Sequence, residues 1–123
     1  MRIMTALVAG LALVVAVSGC SRPSGVAEMA GWIRFADGRE PDTATLPLFA
    51  DAFPPSTLNV VESLWVPTLE LTVHVRARPE PGWLQCRFLT RYLIQGYLEE
   101  DGEIWDSAGK LVALSRQMAR IHD

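Results

Sequence analysis

The feature that most constrains the fold of this chain is a series of strand-like segments in its second half, separated by short turns. Four segments are predicted to be strands: Pro67–Ala77, Trp83–Ile94, Tyr97–Trp105 and Lys110–Ile121. In the first of them apolar and polar residues alternate, which places one set of apolar residues on a single face: Leu69, Leu71, Val73 and Val75. Strands that follow each other through tight turns pair antiparallel. The second half of the chain therefore predicts an antiparallel sheet with one buried face.

One helix is predicted ahead of these strands, from Thr43 to Phe53. Asp42 has the residue type of an N-cap, and the pair Pro54–Pro55 ends the helix. A wide face of the helix is apolar: Leu46, Leu48, Phe49, Ala52 and Phe53. A helix of this kind buries that face against the sheet. A short strand, Gly31–Ala36, is predicted before the helix.

The last turn of the predicted helix places one carboxylate, Asp51, among leucines, phenylalanines and alanines. An ionised group in apolar surroundings is costly unless something pairs with it or uses it. From the residues alone two interpretations stay open. Asp51 has a functional role, or it caps the turn before Pro54 or pairs with an arginine.

The N-terminal residues have the layout of a secretory signal. Arg2 provides a short positive region, and the apolar segment Met4–Val17 that follows is too short for an ordinary membrane-spanning helix of ~20 residues. The sequence VSGC at residues 17–20 resembles the lipobox of bacterial lipoproteins, in which the cysteine, here Cys20, receives the lipid. The expected organisation is a leader over residues 1–20, a linker over 21–30 and one domain over 31–123. A wrongly assigned start or a truncated gene stays open as the alternative.

Composition argues against several classes of function. The net charge is −3 and no basic cluster is present, which argues against nucleic-acid binding. The cysteines are Cys20 and Cys86, and His74 and His122 are distant from each other and from both, so no disulfide framework, metal site or cofactor is expected. Cys86 is interpreted as a small buried apolar residue. The acidic run Glu99–Glu103 is interpreted as a solvated hairpin tip.

Three motifs make the chain resemble a known family. The segments DGREPDTATLPLFADAFPP (37–55), WVPTLELTVHVRARPEPGWL (65–84) and GKLVALSRQMARI (109–121) are similar, in order and spacing, to the C-terminal half of the TesB-like (type II) bacterial acyl-CoA thioesterases. The resemblance covers roughly Gly31 to Ile121. It implies a hotdog fold of the α+β class, in which an antiparallel sheet wraps around one buried helix. It also implies hydrolysis of acyl-CoA or a related acyl thioester.

The resemblance implies a set of catalytic residues as well. In the family an aspartate at the end of the buried helix, a threonine at the start of the long strand and a glutamine on the last strand orient and polarise the water that attacks the thioester. Those positions correspond here to Asp51, Thr68 and Gln117. A hydroxyl and an amide can together hold one water against a carboxylate base. Cys86 matches no functional position in the family.

The chain differs from the family because it carries one hotdog half where members carry two in one chain. A lone half exposes an apolar surface and a sheet edge, and a homodimer would cover both. Two functions are therefore weighed. The first is an acyl-thioester hydrolase that works as a homodimer. The second is a non-catalytic, membrane-anchored hotdog lipoprotein, or a truncated gene product, that binds acyl chains or a protein partner. The leader predicts export and a membrane tether through Cys20. The alternative is a cytoplasmic protein, if the leader is a wrongly assigned start or an artefact of gene truncation; acyl-CoA is a cytoplasmic metabolite.

Overall fold

The computed structural model describes residues 2–8, 11–18, 26–62 and 65–122. These residues form an antiparallel sheet of seven strands, one α-helix and one short 3₁₀ helix. The elements in chain order are β1 (Arg2–Val8), β2 (Leu11–Ser18), β3 (Glu28–Phe35), α1 (Leu46–Asp51), the 3₁₀ helix (Ser56–Asn59), β4 (Thr68–Val75), β5 (Leu84–Ile94), β6 (Tyr97–Trp105) and β7 (Leu111–Arg120). The strands lie in the order β1-β2-β3-β5-β6-β7-β4, so that β1 and β4 form the two edges of the sheet.

The five strands predicted from the sequence are all present as β3 to β7, and β6 has the predicted bounds. The turn between β5 and β6 explains why this prediction succeeds. Gln95 and Gly96 both have positive φ, 52° and 80°. A two-residue turn with positive φ at both positions matches the twist of antiparallel strands, and glycine adopts that conformation without strain. Local sequence therefore determines where this hairpin folds back.

The helix is shorter than predicted, and the prediction of Asp42 as its N-cap is wrong. The N-cap is Thr45, and α1 runs only from Leu46 to Asp51. Asp42 instead closes a separate turn, because its Oδ1 accepts the N–H of Thr45 at 2.9 Å while Thr45 Oγ1 accepts the N–H of Asp42 at 2.9 Å. Pro47 lies in the first turn, where the missing N–H leaves no helical hydrogen bond unmade.

The core lies between α1 and the face of the sheet that the helix covers. The ring of Phe49 lies 4.9 Å from that of Phe35, and the ring of Phe53 lies 5.1 Å from that of Phe88. Burial of each side chain of this size contributes roughly 1.5–3 kcal/mol. Cys86 is fully buried in this core, and that burial raises the pKa of its thiol. The interpretation of Cys86 as a buried apolar residue is therefore confirmed.

The interpretation of Glu99–Glu103 as a solvated hairpin tip is wrong. These residues lie within β6, where alternate side chains face the core, and Glu100 is only 5% exposed. A Cβ at Gly102 would lie 2.7 Å from the ring of Phe88, so a residue without a side chain is needed for that ring to pack over the strand. Gly102 therefore lies where the ring of Phe88 comes close to the backbone of β6 in the core.

The two N-terminal strands fall within the predicted leader. β2 pairs antiparallel with β3, Leu13 opposite Phe35 and Val15 opposite Ile33, and these four side chains are buried in the same core. Cys20 lies outside the described residues, as does the first half of the expected linker, residues 21–25, so lipidation and export stay predictions. Cleavage before Cys20 would remove β1 and β2 and, with them, part of this core. Among the helices of the described residues, none has the length and apolar character that a bilayer crossing requires.

Candidate active site

A β-bulge at the start of β4 sets the direction of Thr68. Thr68 pairs with Ala119 and Glu70 pairs with Met118, so Leu69 is an extra residue in β4. Strict alternation predicted that Leu69 lies on the apolar face, and this is wrong: its side chain is 56% exposed. Directly paired residues of antiparallel strands share a face. The bulge therefore places Thr68 on the same face as the buried Ala119, which alternation alone would not have done.

Gln117 lies two residues before Ala119 on β7, so its side chain points to the same face as that of Thr68. The two residues are in contact: Gln117 Nε2 donates a hydrogen bond to Thr68 Oγ1. A hydroxyl that accepts a hydrogen bond keeps its own O–H for donation, and the amide keeps its carbonyl oxygen as an acceptor. The structure thus brings together two of the three predicted site residues, with capacity left to bind a water.

Asp51 is the last residue of α1, and the helix packs against β4 and β7, the strands that carry Thr68 and Gln117. Its side chain is exposed in the single chain, and partial burial raises the pKa of its carboxyl above the ordinary value of 3.8. Within the described residues Asp51 makes no ion pair with an arginine, and no side-chain hydrogen bond joins it to Thr68 or Gln117. The helix end therefore carries a carboxyl group that is not hydrogen-bonded to the Thr68–Gln117 pair, on a helix that packs against both of their strands.

A buried polar cluster beside this site was not predicted. Glu100 on β6 pairs directly with Gln117 on one side and with Thr90 on the other. Its Oε2 accepts the backbone N–H of Ser56 at 2.6 Å, and the hydroxyls of Ser56 and Thr90 lie 3.0 Å apart. The hydroxyl of Thr57 is fully buried in the same 3₁₀ helix, without a partner among the described residues.

Burial raises the pKa of Glu100 above its ordinary value of 4.5, although the hydrogen bonds from Ser56 act in the opposite direction. The sequence did contain a signal for this residue. Within the strand Tyr97–Trp105, Glu100 alternates with Leu98 and Ile104, which are both buried. An acidic residue on the apolar face of a predicted strand is therefore a candidate for a buried carboxylate.

The described residues hold no group of three His, Cys, Asp or Glu side chains that could bind a metal ion. His74 lies exposed on β4, and Cys86 lies in the core. The predicted site residues themselves offer a carboxyl, a hydroxyl and an amide: Asp51, Thr68 and Gln117.

Residues 8–121 match the family model of the acyl-CoA thioesterase C-terminal domain. The chain belongs to this family. The match includes Asp51, Thr68 and Gln117, and it begins within the stretch predicted as a leader. The resemblance that the three motifs indicate is thereby confirmed.

Solved structures confirm the fold. A candidate thioesterase II from Thermobifida fusca is 37% identical and superposes with a TM-score of 0.83, over 90% of this chain and 46% of that one. A protein from Alicyclobacillus acidocaldarius described as having a hot dog fold superposes with a TM-score of 0.79 at 19% identity, over 98% of this chain and 51% of that one. The hotdog prediction is therefore confirmed, and the chain spans about half the length of both proteins.

An uncharacterised protein of Mycobacterium tuberculosis is 33% identical to this chain over 84 residues. The aligned region covers 68% of this chain and 29% of the mycobacterial protein. The chain therefore spans less than a third of this curated relative.

Proposed function

We propose that this domain hydrolyses acyl-CoA or a related acyl thioester with a water that Asp51, Thr68 and Gln117 position. The observation that carries the proposal is the hydrogen bond from Gln117 to Thr68, on the two strands against which the helix that ends in Asp51 packs. Membership of the acyl-CoA thioesterase C-terminal domain family supports the same reaction.

In the proposed reaction Thr68 and Gln117 hold the water, and Asp51 accepts its proton. The water oxygen forms a bond to the thioester carbonyl carbon, the carbon–sulfur bond breaks, and the leaving thiolate takes up the proton. Partial burial of Asp51 raises its pKa, which brings a weak base nearer to neutral pH. No covalent bond to the protein is required, so the buried Cys86 takes no part.

The working unit that we propose is a homodimer. β4 is an edge strand, and its side chains Leu69 and Val75 are 56% and 43% exposed. An exposed apolar edge of this kind is suited to pairing with another strand. A second copy that adds its own β4 to this edge would cover both side chains. It would also enclose Thr68, which stands exposed at the same edge.

The competing function is a non-catalytic domain that binds acyl chains or a protein partner, tethered to a membrane through lipidated Cys20 or produced from a truncated gene. The observation that favours it is the lipobox-like sequence at residues 17–20. Localisation follows the same division: an exported lipoprotein if the leader is used, and a cytoplasmic protein if it is not.

The experiment that separates these functions is thiol release from a series of acyl-CoAs by the purified full chain and by its Asp51→Asn variant. Asp37→Asn serves as the matched control, because Asp37 is an exposed aspartate whose ion pair with Arg39 is confined to a surface turn. Turnover that depends on Asp51 and not on Asp37 supports the hydrolase. A folded wild-type dimer without turnover on any acyl-CoA would contradict it and favour the binding domain.

A further inference from the structure

The buried carboxyl of Glu100 links the site to the chain segment that follows α1. Glu100 is 5% exposed, and Gln117 stands directly opposite it on the neighbouring strand. Its hydrogen bond, 2.6 Å long, comes from the backbone N–H of Ser56 at the start of the 3₁₀ helix. One side chain of β6 thus touches a loop that begins at the end of the catalytic helix.

The segment between Asp51 and Ser56 has little freedom to move. The ring of Phe53 is buried against that of Phe88, 5.1 Å away. The pair Pro54–Pro55 follows, and each proline ring fixes its own φ. This connection is short, with one buried ring and two fixed φ angles. A displacement of Ser56 is therefore expected to displace the C-terminal end of α1 as well.

Stability alone does not account for a carboxyl at this position. Glu100 is buried without a cation beside it among the described residues, and a buried carboxylate without an opposite charge is costly. The same segment also leaves the Thr57 hydroxyl buried without a partner in the described part of the chain. An arrangement with such costs is expected where the geometry of a site is being held.

We propose that Glu100 is a positioning residue: by accepting the Ser56 N–H it holds the segment that follows α1 in place, and it thereby fixes the helix end that carries Asp51 relative to β4 and β7, the strands of Thr68 and Gln117. This inference rests on the proposed hydrolase function. It adds a residue that does not touch the substrate but sets the geometry of the residues that do.

The test compares Glu100→Leu with Glu100→Gln. The leucine variant has a similar size but no acceptor for the Ser56 N–H, whereas the glutamine variant keeps an acceptor oxygen. Glu99→Leu is the matched control, because Glu99 is the neighbouring residue on β6 and is exposed. Misplacement of a catalytic group by about 1 Å costs on the order of 10²-fold in rate. We therefore expect Glu100→Leu to lower kcat by roughly that factor with KM little changed, and Glu100→Gln and Glu99→Leu to leave kcat within about threefold.

A second readout does not depend on turnover. The titration of the Asp51 carboxyl, followed by carbon-13 NMR, reports its surroundings directly. We expect the midpoint to move toward the ordinary value in Glu100→Leu and to stay in place in Glu100→Gln. An unchanged Asp51 midpoint together with an unchanged kcat in folded Glu100→Leu protein would overturn the proposal. Equal damage from Glu100→Gln would also overturn it, because the charge of Glu100 would then act by itself.

If wild-type protein turns over no thioester, the proposed function fails, and the Asp51 titration still decides whether Glu100 positions the helix end.

If the Glu100→Leu variant does not fold, the same hydrogen bond can be removed at its donor, the backbone N–H of Ser56. Ser56→Pro deletes the N–H donor at the first position of the 3₁₀ helix, where proline is tolerated, and Ser56→Ala keeps the N–H and loses only the hydroxyl. A shift of the Asp51 midpoint in Ser56→Pro but not in Ser56→Ala supports the proposal; equal midpoints overturn it.

Discussion

Glu100 on β6 stands directly opposite Gln117 on β7, so a buried carboxyl group and the amide of the proposed active site share one face of the sheet. Gln117 in turn donates its hydrogen bond to Thr68 on β4. Polar side chains therefore lie on the same face of three neighbouring strands, β6, β7 and β4. This row runs from the buried Glu100 to the exposed Thr68, and it is the structural basis of the first two predictions that follow.

Thr68 and Gln117 are expected to act as a pair. Thr68→Val and Gln117→Leu each remove one partner of the hydrogen bond, and each is expected to lower kcat/KM. Because either change already breaks the contact, the double variant should lose less than the sum of the two, with a coupling free energy of about 0.5–3 kcal/mol. Steady-state kinetics on the four proteins of the cycle measure this. Strictly additive losses would show that the two side chains act independently.

The stability of the fold is expected to depend on pH through Glu100. Its pKa in the folded chain is raised above 4.5, so the folded state holds this proton more tightly than the unfolded state does. The free energy of unfolding that Glu100 contributes is therefore fully present below pH 4.5 and is lost as the pH rises through the folded pKa. The glutamine side chain of Glu100→Gln does not titrate. The free energy of unfolding of wild type minus that of the variant should therefore decrease as the pH rises from 4.5 through the folded pKa of Glu100.

Urea denaturation at a series of pH values measures that difference. Asp51 also has a raised pKa, but it is present in both proteins and cancels in the comparison. Asp101 has a lowered pKa, because Arg116 and Arg91 pair with it, and its contribution is lost only as the pH falls through that lowered value. A difference that stays constant with pH would show that Glu100 titrates alike in both states.

The role of the N-terminal residues is tested by Leu13→Ala. Leu13 is fully buried opposite Phe35, so removal of its side chain should lower the free energy of unfolding by about 2–5 kcal/mol. Val14→Ala is the matched control, since Val14 is only half-buried. Thermal denaturation, with intact mass to establish the first residue, provides the measurement. If the mature protein begins at Cys20, both substituted residues are removed with the leader. Wild type, Leu13→Ala and Val14→Ala should then have the same free energy of unfolding, which would identify the leader as cleaved.

Export itself is tested by Cys20→Ala. If the lipobox-like sequence is used, the variant should leave the membrane fraction, because one acyl-bearing residue has been removed. An identical distribution of wild type and variant between membrane and soluble fractions contradicts the lipoprotein prediction.

The proposed homodimer is tested by Leu69→Lys. Leu69 lies exposed at the bulge of the edge strand, and a charged side chain there should oppose pairing with a second β4. Ile94→Lys is the control, because Ile94 is equally apolar and exposed but belongs to β5, which is not an edge strand. Sedimentation velocity should show a dimer for wild type and control and a monomer for Leu69→Lys. A wild-type monomer contradicts the dimer outright.

Much of the fold was accessible from the sequence because its determinants are local. The predicted strand Tyr97–Trp105 and the short turn before it depend only on neighbouring residues, and the structure has the strand and the hairpin where they are predicted. The helix lies within its predicted range, but it is shorter than predicted and its N-cap is a different residue. Asp42 and Thr45 both have side chains that can cap a turn, and residue type alone does not separate them.

Predictions from local sequence were wrong where the direction of a side chain or the pairing of a segment depends on a partner strand. The exposed Leu69 follows from a bulge that exists only because β4 pairs with β7 in a particular register. The N-terminal apolar run is compatible with a leader and with a buried strand, since both require the same residues. Its strand pairing with β3 is a property of the whole sheet.

The sequence by itself determined the antiparallel strands β3 to β7, the covering helix and the family, because periodicity, turn residues and motifs are carried by short segments. Tertiary structure alone decided which polar side chains meet. Thr68 faces Gln117 because of a bulge, and Glu100 is buried because β5, β7 and the segment after α1 enclose it. Contacts of this kind join residues far apart in the chain, and they form only when the sheet has its register.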